Sequence, residues 1–149
     1  MKILLLLLAI AIVLVIGLRL LFGHFNIGSQ NLRADGKLQP CPDSPNCHAV
    51  SVELNDAGKG IEVMSKLMES VRAMSRSEVK ENSDNYLHVV YTSALLGYKD
   101  DLECLIETTG NESATLHCRS ASRVGYSDFD INRKRIDQLL DKAGIKKPF

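Results

Sequence analysis

The chain has 149 residues, 18 basic and 18 acidic side chains balancing to zero net charge, 45% hydrophobic residues and no tryptophan. Setting aside Lys2 and Arg19 leaves 16 basic against 18 acidic residues, two net negative charges, with no long basic stretch. That balance argues against nucleic acid as a partner, and the length beyond the N-terminus serves one hydrophobic core but not two.

Residues 3–18 form an unbroken apolar run, which Leu20, Leu21 and Phe22 extend past Arg19. As a helix rising about 1.5 Å per residue, residues 3–22 reach the roughly 30 Å hydrocarbon core of a bilayer. Arg19 lies near one end, where its stem can snorkel. A cleaved signal peptide is the competing reading, but at 23–29 bulky or amide residues occupy the places an Ala-x-Ala cleavage pattern would fill, and the first cysteine, Cys41, is too late for a lipoprotein. An uncleaved anchor is preferred. Residues 1–22 are therefore read as a transmembrane anchor or signal-anchor whose partner is the lipid bilayer, 23–39 as a polar tether and 40–149 as one domain. The flanking charges do not fix orientation. The four cysteines, an even number, favour an extracytoplasmic or periplasmic domain.

The first cysteine pair closes the loop Cys41-Pro42-Asp43-Ser44-Pro45-Asn46-Cys47, with Pro40 just before it. Prolines restrict the unfolded loop and favour its closure. A structural disulfide leads. The alternatives are a metal site completed by His48 or a redox pair, although the C-x5-C spacing matches neither a zinc knuckle nor a C-x-x-C motif. No cofactor is expected.

Weak alternation around Val50 and Val52 predicts a short strand over residues 48–53. Ile61, Met64, Leu67, Met68 and Val71 then recur at helical spacing after Asn55 and Asp56, a suitable N-cap region. An amphipathic helix is predicted over 60–74, with its methionine-bearing stripe in the core. Strands follow over 77–81 and 86–93, separated by the polar turn Asn82-Ser83-Asp84-Asn85. The stretch Ser93-Ala94-Leu95-Leu96-Gly97-Tyr98 reads first as a strand continuing into the core. On an exposed loop, Leu95, Leu96 and Tyr98 would instead suit a protein partner or the adjacent membrane surface.

Residues 101–107 and 115–119 largely alternate polar and apolar side chains, the mark of half-buried strands, with Gly110-Asn111-Glu112 as the turn. A three-residue loop centred on Asn111 sets Cys104 opposite Cys118, Ile106 opposite Leu116, and Glu103 opposite Arg119 on the other face. Cys104 and Cys118 then form either a cross-strand bridge or two packed core thiols. Asn111-Glu112-Ser113 matches a glycosylation sequon, which its turn chemistry already explains.

At the junction that follows, Ser127, Asp128 and Asp130 suit the cap or first turn of a last helix carrying Ile136, Leu139, Leu140 and Ala143 and closed by Gly144. Arg133, a cation in an early turn, is expected to reach Asp100 or Asp101, and Arg123 to pair with Asp128. The junction is read as an internally satisfied polar segment that fixes the last helix on the sheet. The alternative is an anion or small-ligand site made by Arg123, Tyr126, Ser127, Asp128, Asn132, Arg133 and free helix N–H groups. The element order gives an α+β fold: an antiparallel sheet of four or five strands with two helices on one face, after one N-terminal transmembrane helix.

Three motifs in order, the Cys-Pro-Asp-Ser-Pro-Asn-Cys loop, Leu96-Gly97-Tyr98-Lys99-Asp100-Asp101 and the junction at 120–133, resemble the domain-of-unknown-function family numbered fourteen ninety-nine. The resemblance covers nearly all of residues 41–140. It implies kinship with bacterial membrane-associated or exported proteins and plant thylakoid-lumen proteins, and so an extracytoplasmic domain. It implies no activity and no catalytic residues.

The preferred function is a membrane-tethered binding or assembly module with a possible membrane-protein partner. The enzyme alternative, a hydrolase drawing on Ser122, Ser127, His88 or His117, has no G-x-S-x-G, H-E-x-x-H or phosphate-loop motif behind it. A serine within reach of one histidine, with a carboxylate behind that ring, would support it. The third class is a metal or redox protein built on Cys41, Cys47 and His48.

Overall fold

A computed structural model describes residues 2–25, 32–54, 57–109 and 113–147. The apolar run folds as α1 (Lys2–Phe25), and Lys2–Leu21 is long and apolar enough to cross a membrane, with a mean hydropathy of 3.1. The remaining elements are β1 (Cys47–Leu54), a single 3-10 turn (Ala57–Lys59), α2 (Gly60–Arg72), β2 (Ser77–Asn82), β3 (Tyr86–Thr92), β4 (Lys99–Thr109), β5 (Ser113–Ser122) and α3 (Ile131–Lys142).

The strands form one antiparallel sheet in the order β1-β5-β4-β3-β2. β2 to β5 make a meander of successive hairpins, while β1 pairs with β5 on its outer side, so α2 carries the chain from one edge of the sheet to the other. The architecture is the α+β arrangement expected from the element order. Within the β4–β5 hairpin, Cys104 faces Cys118, Ile106 faces Leu116 and Glu103 faces Arg119, the register derived from the sequence. The turn at 110–112 and the Asn55-Asp56 cap region lie outside the described residues.

Alternation sends Val52, Leu87, Val89, Tyr91, Leu102, Cys104, Ile106, Leu116 and Cys118 to one face, where Met64, Leu67 and Val71 of α2 and Ile136, Leu139 and Leu140 of α3 close over them. Each fully buried aliphatic side chain contributes on the order of 1.5–3 kcal/mol. Met64, Leu67 and Val71 of the predicted stripe are core and Met68 packs partly buried against them, but Ile61, in the first turn of α2, is exposed. The C-terminus of α3 is closed by Gly144 at φ +69°, where its N–H bonds the Asp141 carbonyl and the Ile145 N–H bonds the Leu140 carbonyl. That bond pair is a Schellman stop, and a left-handed residue is needed to make it.

The second face departs from a simple half-buried sheet. Asp101, Glu103, Arg119 and His88, which alternation alone would send to water, are all nearly inaccessible. Residues 33–46 run across them. The Arg33 N–H donates to Glu103 Oε1 at 2.8 Å, the Arg33 guanidinium lies 3.8 Å from the Tyr86 ring centroid, and Tyr86 Oη donates to the same Glu103 oxygen at 2.7 Å. Burial and the Glu103 carboxylate raise the Tyr86 phenol well above its usual range, so it stays a donor. Arg119 Nη1 donates to Glu103 Oε2 at 3.2 Å. Buried charges persist when each finds a partner, which this row provides.

Candidate functional site

The loop between β5 and α3 is built around Asn132, whose side chain is completely buried. Its Nδ2 donates to the Asn46 carbonyl at 2.9 Å and to Ser122 Oγ at 3.0 Å, while Oδ1 accepts from Ser120 Oγ at 2.6 Å and from Arg135 Nη1. Asn46 in turn donates through Nδ2 to the Gly125 carbonyl. One side chain thus joins α3, β5 and the cysteine loop. That loop is closed by a Cys41–Cys47 disulfide with a Cα–Cα distance of 5.6 Å. Bonded to each other, these sulfurs are not free thiolate ligands, so the metal alternative with His48 loses its donors. Cys104 and Cys118 are the packed thiols of the two alternatives, unbonded and buried. Burial, followed by the neighbouring Cys118 thiol, pushes the Cys104 pKa up.

Asp128 caps α3 from three residues ahead of its first residue, accepting the Asp130 N–H at 3.1 Å and the Asn132 N–H at 2.8 Å. Ser127 Oγ accepts the Phe129 N–H. Asp130 suits a cap by residue type, but it sits in the left-handed region without a side-chain cap bond. It pairs instead with Arg133 at 2.9 Å.

Two arginine pairings differ from expectation. Arg133 reaches Asp130 and, at 3.7 Å, Asp137 on its own exposed helix face, and not Asp100 or Asp101. Two residues further along, Arg135 points to the sheet and takes Asp100 at 2.6 Å. Arg123 pairs with Asp101 and not Asp128, by Nε to Oδ2 at 2.8 Å and Nη2 to Oδ1 at 2.9 Å, with a side chain 10% exposed. The cation on which an anion site at the junction depends is therefore turned into the sheet.

The junction instead walls a cleft of about 470 Å³. Leu96 and Tyr98 from the turn after β3 form one side, and Val124, Phe129 and Ile131 form the other. Ser93, Asp100, Ser122, Ser127 and Asp128 add polar atoms to the lining. Of the residues proposed from sequence, Ser127 and Asp128 line this cleft, Asn132 supports it from beneath, and Tyr126 and Arg133 stand outside it. The 93–98 stretch is a turn and not a core strand, with Leu95 largely exposed.

A second constellation lies on the face crossed by residues 33–46. Ser51 of β1 is directly opposite His117 of β5, with Ser51 Oγ 2.7 Å from His117 Nδ1, and Glu107 Oε2 lies 3.6 Å from His117 Nε2. All three line a groove of about 280 Å³ under Lys37, Leu38, Gln39 and Pro40. His117 is one of the two histidines the sequence offers as a base, but its serine is on β1, a strand whose partner the sequence does not reveal. His88, the other, bonds Asp101 Oδ1 at 2.7 Å in the buried row. Among the described residues, no group of three His, Cys, Asp or Glu side chains is arranged to hold a metal ion.

A family model described as "Protein of unknown function (DUF1499)" matches residues 37–142, from within the segment that crosses the sheet to the end of α3. No curated protein matches the chain.

Proposed function

The chain belongs to the DUF1499 family, and we propose that it acts as a membrane-tethered binding module whose ligand occupies the cleft between the 93–98 turn and the 124–131 loop. The observation that carries this reading is the lining of the cleft. Mostly apolar walls with a few converging polar atoms are the usual composition of a small-molecule site. The carboxylates there are already committed, Asp100 to Arg135 and Asp128 to two backbone N–H groups. They orient a ligand rather than react with it. The apolar α1 supports the tether, and the Cys41–Cys47 bridge supports placing the domain on the oxidising side.

Native mass spectrometry of the full chain, extracted from its own membrane in mild detergent, tests the module. The expected spectrum carries one small-molecule mass increment that Val124→Trp, which fills the cleft, removes. A wild-type chain carrying no increment overturns the reading.

Ser51, His117 and Glu107 favour a second reading, a hydrolase. His117 Nδ1 would take the hydroxyl proton as Ser51 Oγ attacks an acyl carbonyl, with the Nε2–H directed to Glu107. A fluorophosphonate probe should then label Ser51 with loss of fluoride, and His117→Ala should abolish labelling. An unlabelled wild-type chain removes this reading.

A further inference from the structure

Large apolar side chains in and beside the wall of the cleft leave about half or more of their surface exposed. Leu95 is 63% exposed, Tyr126 76%, Phe129 84% and Ile131 48%. Phe129 and Ile131 wall the cleft, and Leu95 and Tyr126 are chain neighbours of the lining residues Leu96, Gly125 and Ser127, so the four form a patch and not scattered surface residues. Phe129 also sits at φ +55°, a conformation in which a bulky L residue is strained. Strain held at an outward-facing aromatic, with no packing in return, marks a position kept for contact with something else.

Arg19, in the C-terminal third of α1, lies beside this patch. A Cβ built on Gly97, in the turn that carries Leu95 and Leu96, would stand 3.7 Å from Arg19 Nε. Arg19 lies at the end of the apolar run, the level at which a cation in a spanning helix meets the headgroups. Chain length gives the same constraint independently. Eight peptide steps separate Phe25 from Arg33, a reach of at most about 28 Å, and Arg33 is fastened to Glu103 and Glu81. The domain therefore cannot leave the neighbourhood of the membrane surface that α1 enters.

We propose that the loop tips bearing Leu95, Tyr126 and Phe129, together with Ile131 at the start of α3, dock into the headgroup region of the same bilayer that holds α1, so that the cleft opens at the lipid surface. Tyr126 and Phe129 have the aromatic character favoured at that depth, and the exposed Lys134 adds a cation beside them. The docking rests on α1 remaining in the membrane, but it does not depend on what fills the cleft.

The chain lacks tryptophan, so a single introduced indole reports its own position. Full-length Phe129→Trp and, separately, Leu95→Trp are reconstituted into phosphatidylcholine–phosphatidylglycerol vesicles with and without brominated acyl chains. Glu69→Trp, on the exposed side of α2, is the control. Bromolipid should quench the indole of the Phe129→Trp chain and that of the Leu95→Trp chain at least about twofold more than the control. Quenching no greater than that of the control overturns the docking while leaving the tether and the cleft intact. Shielding from aqueous iodide without bromolipid quenching also overturns it, because the cover is then protein, such as a second copy of the chain. Failure of the full chain to float with the vesicles overturns the tether, and the docking with it.

Discussion

Arg123 grips both oxygens of Asp101, and His88 Nε2 bonds the same Oδ1 at 2.7 Å, so one buried carboxylate joins β3, β4 and the end of β5. The pairing determines how the junction is read. An arginine free to face outward would have offered a carboxylate or phosphate a bidentate partner. Spent on Asp101, it pins the start of the 124–131 loop to the sheet and leaves that loop to shape a largely apolar cleft. The charges at this end of the domain therefore act mainly as scaffold.

Removing half of that pairing leaves the other half buried without compensation. Asp101→Asn should lower unfolding free energy at neutral pH by about 3–5 kcal/mol, the range for breaking one partner of a buried ion pair. The effect should depend on pH. Burial pushes the Asp101 carboxyl up, but hydrogen bonds from His88 and Arg123 and the Arg123 charge outweigh it and hold the carboxyl below its usual value. A lowered folded pKa gives stability that is present above the unfolded value of about 3.9 and lost as pH falls through the folded one. Denaturant midpoints should therefore differ widely between wild type and Asp101→Asn at pH 7 and converge below about pH 4. A gap unchanged at pH 3 would assign the effect to packing.

Asn132 and Arg133 are neighbours on α3 with opposite expected responses. Asn132→Ala removes four hydrogen bonds at once, although the Asn46 carbonyl keeps the Ser122 N–H and Arg135 keeps Ser120 and Asp100; at a net of about 0.5–1.5 kcal/mol for each bond lost, the cost should be about 2 kcal/mol or more. Arg133→Ala removes only two exposed ion pairs, to Asp130 and Asp137, and should leave the unfolding midpoint nearly unchanged. Urea titrations of both variants check this, and equal losses would contradict the assigned hub.

The four cysteines should divide into two chemical classes. Alkylation under non-reducing, fully denaturing conditions should modify Cys104 and Cys118 and leave Cys41 and Cys47 joined. Folded protein should modify none, because the Cys104 and Cys118 thiols are inaccessible and burial raises the Cys104 pKa. Replacing Cys41 and Cys47 with serine should cost about 2 kcal/mol, the scale for a loop this short. Four alkylated sulfurs would remove the disulfide, and none would mean that a second bridge spans β4 and β5.

The β4–β5 register was legible because a hairpin is local: period-two alternation and a three-residue loop leave one alignment that matches Cys104 with Cys118 and Glu103 with Arg119. The buried charge row was not. Asp101, Glu103 and Arg119 follow the pattern of a solvated face, and only residues 33–46, far away in sequence, turn that face into an interior. Ser51 meets His117 through β1–β5 pairing across more than sixty positions, which periodicity does not encode. The exchange of Arg133 for Arg135 has a simpler cause. Two residues correspond to about 200° around a helix, so which arginine faces Asp100 depends on how α3 is rotated on the sheet. Ser127 and Asp128 are legible as cap residues and prove to line the cleft, whereas Phe129 passes as an ordinary loop residue because its backbone conformation is invisible in sequence.

Phe129 links stability to docking in a way that a single substitution separates. Its φ of +55° disfavours a bulky side chain by roughly 1–2 kcal/mol, and its 84% exposure means that little packing is lost on removal. Phe129→Gly relieves the backbone, partly offset by greater freedom in the unfolded chain, and should raise unfolding free energy by about 1 kcal/mol. Placed in the Leu95→Trp background, the same change should reduce bromolipid quenching of the indole there, because the neighbouring anchor is gone. The two readouts should move in opposite directions, a more stable domain that sits less deeply. If Phe129→Gly instead destabilised the domain, the ring would be serving the fold, and the strain would no longer point to the membrane.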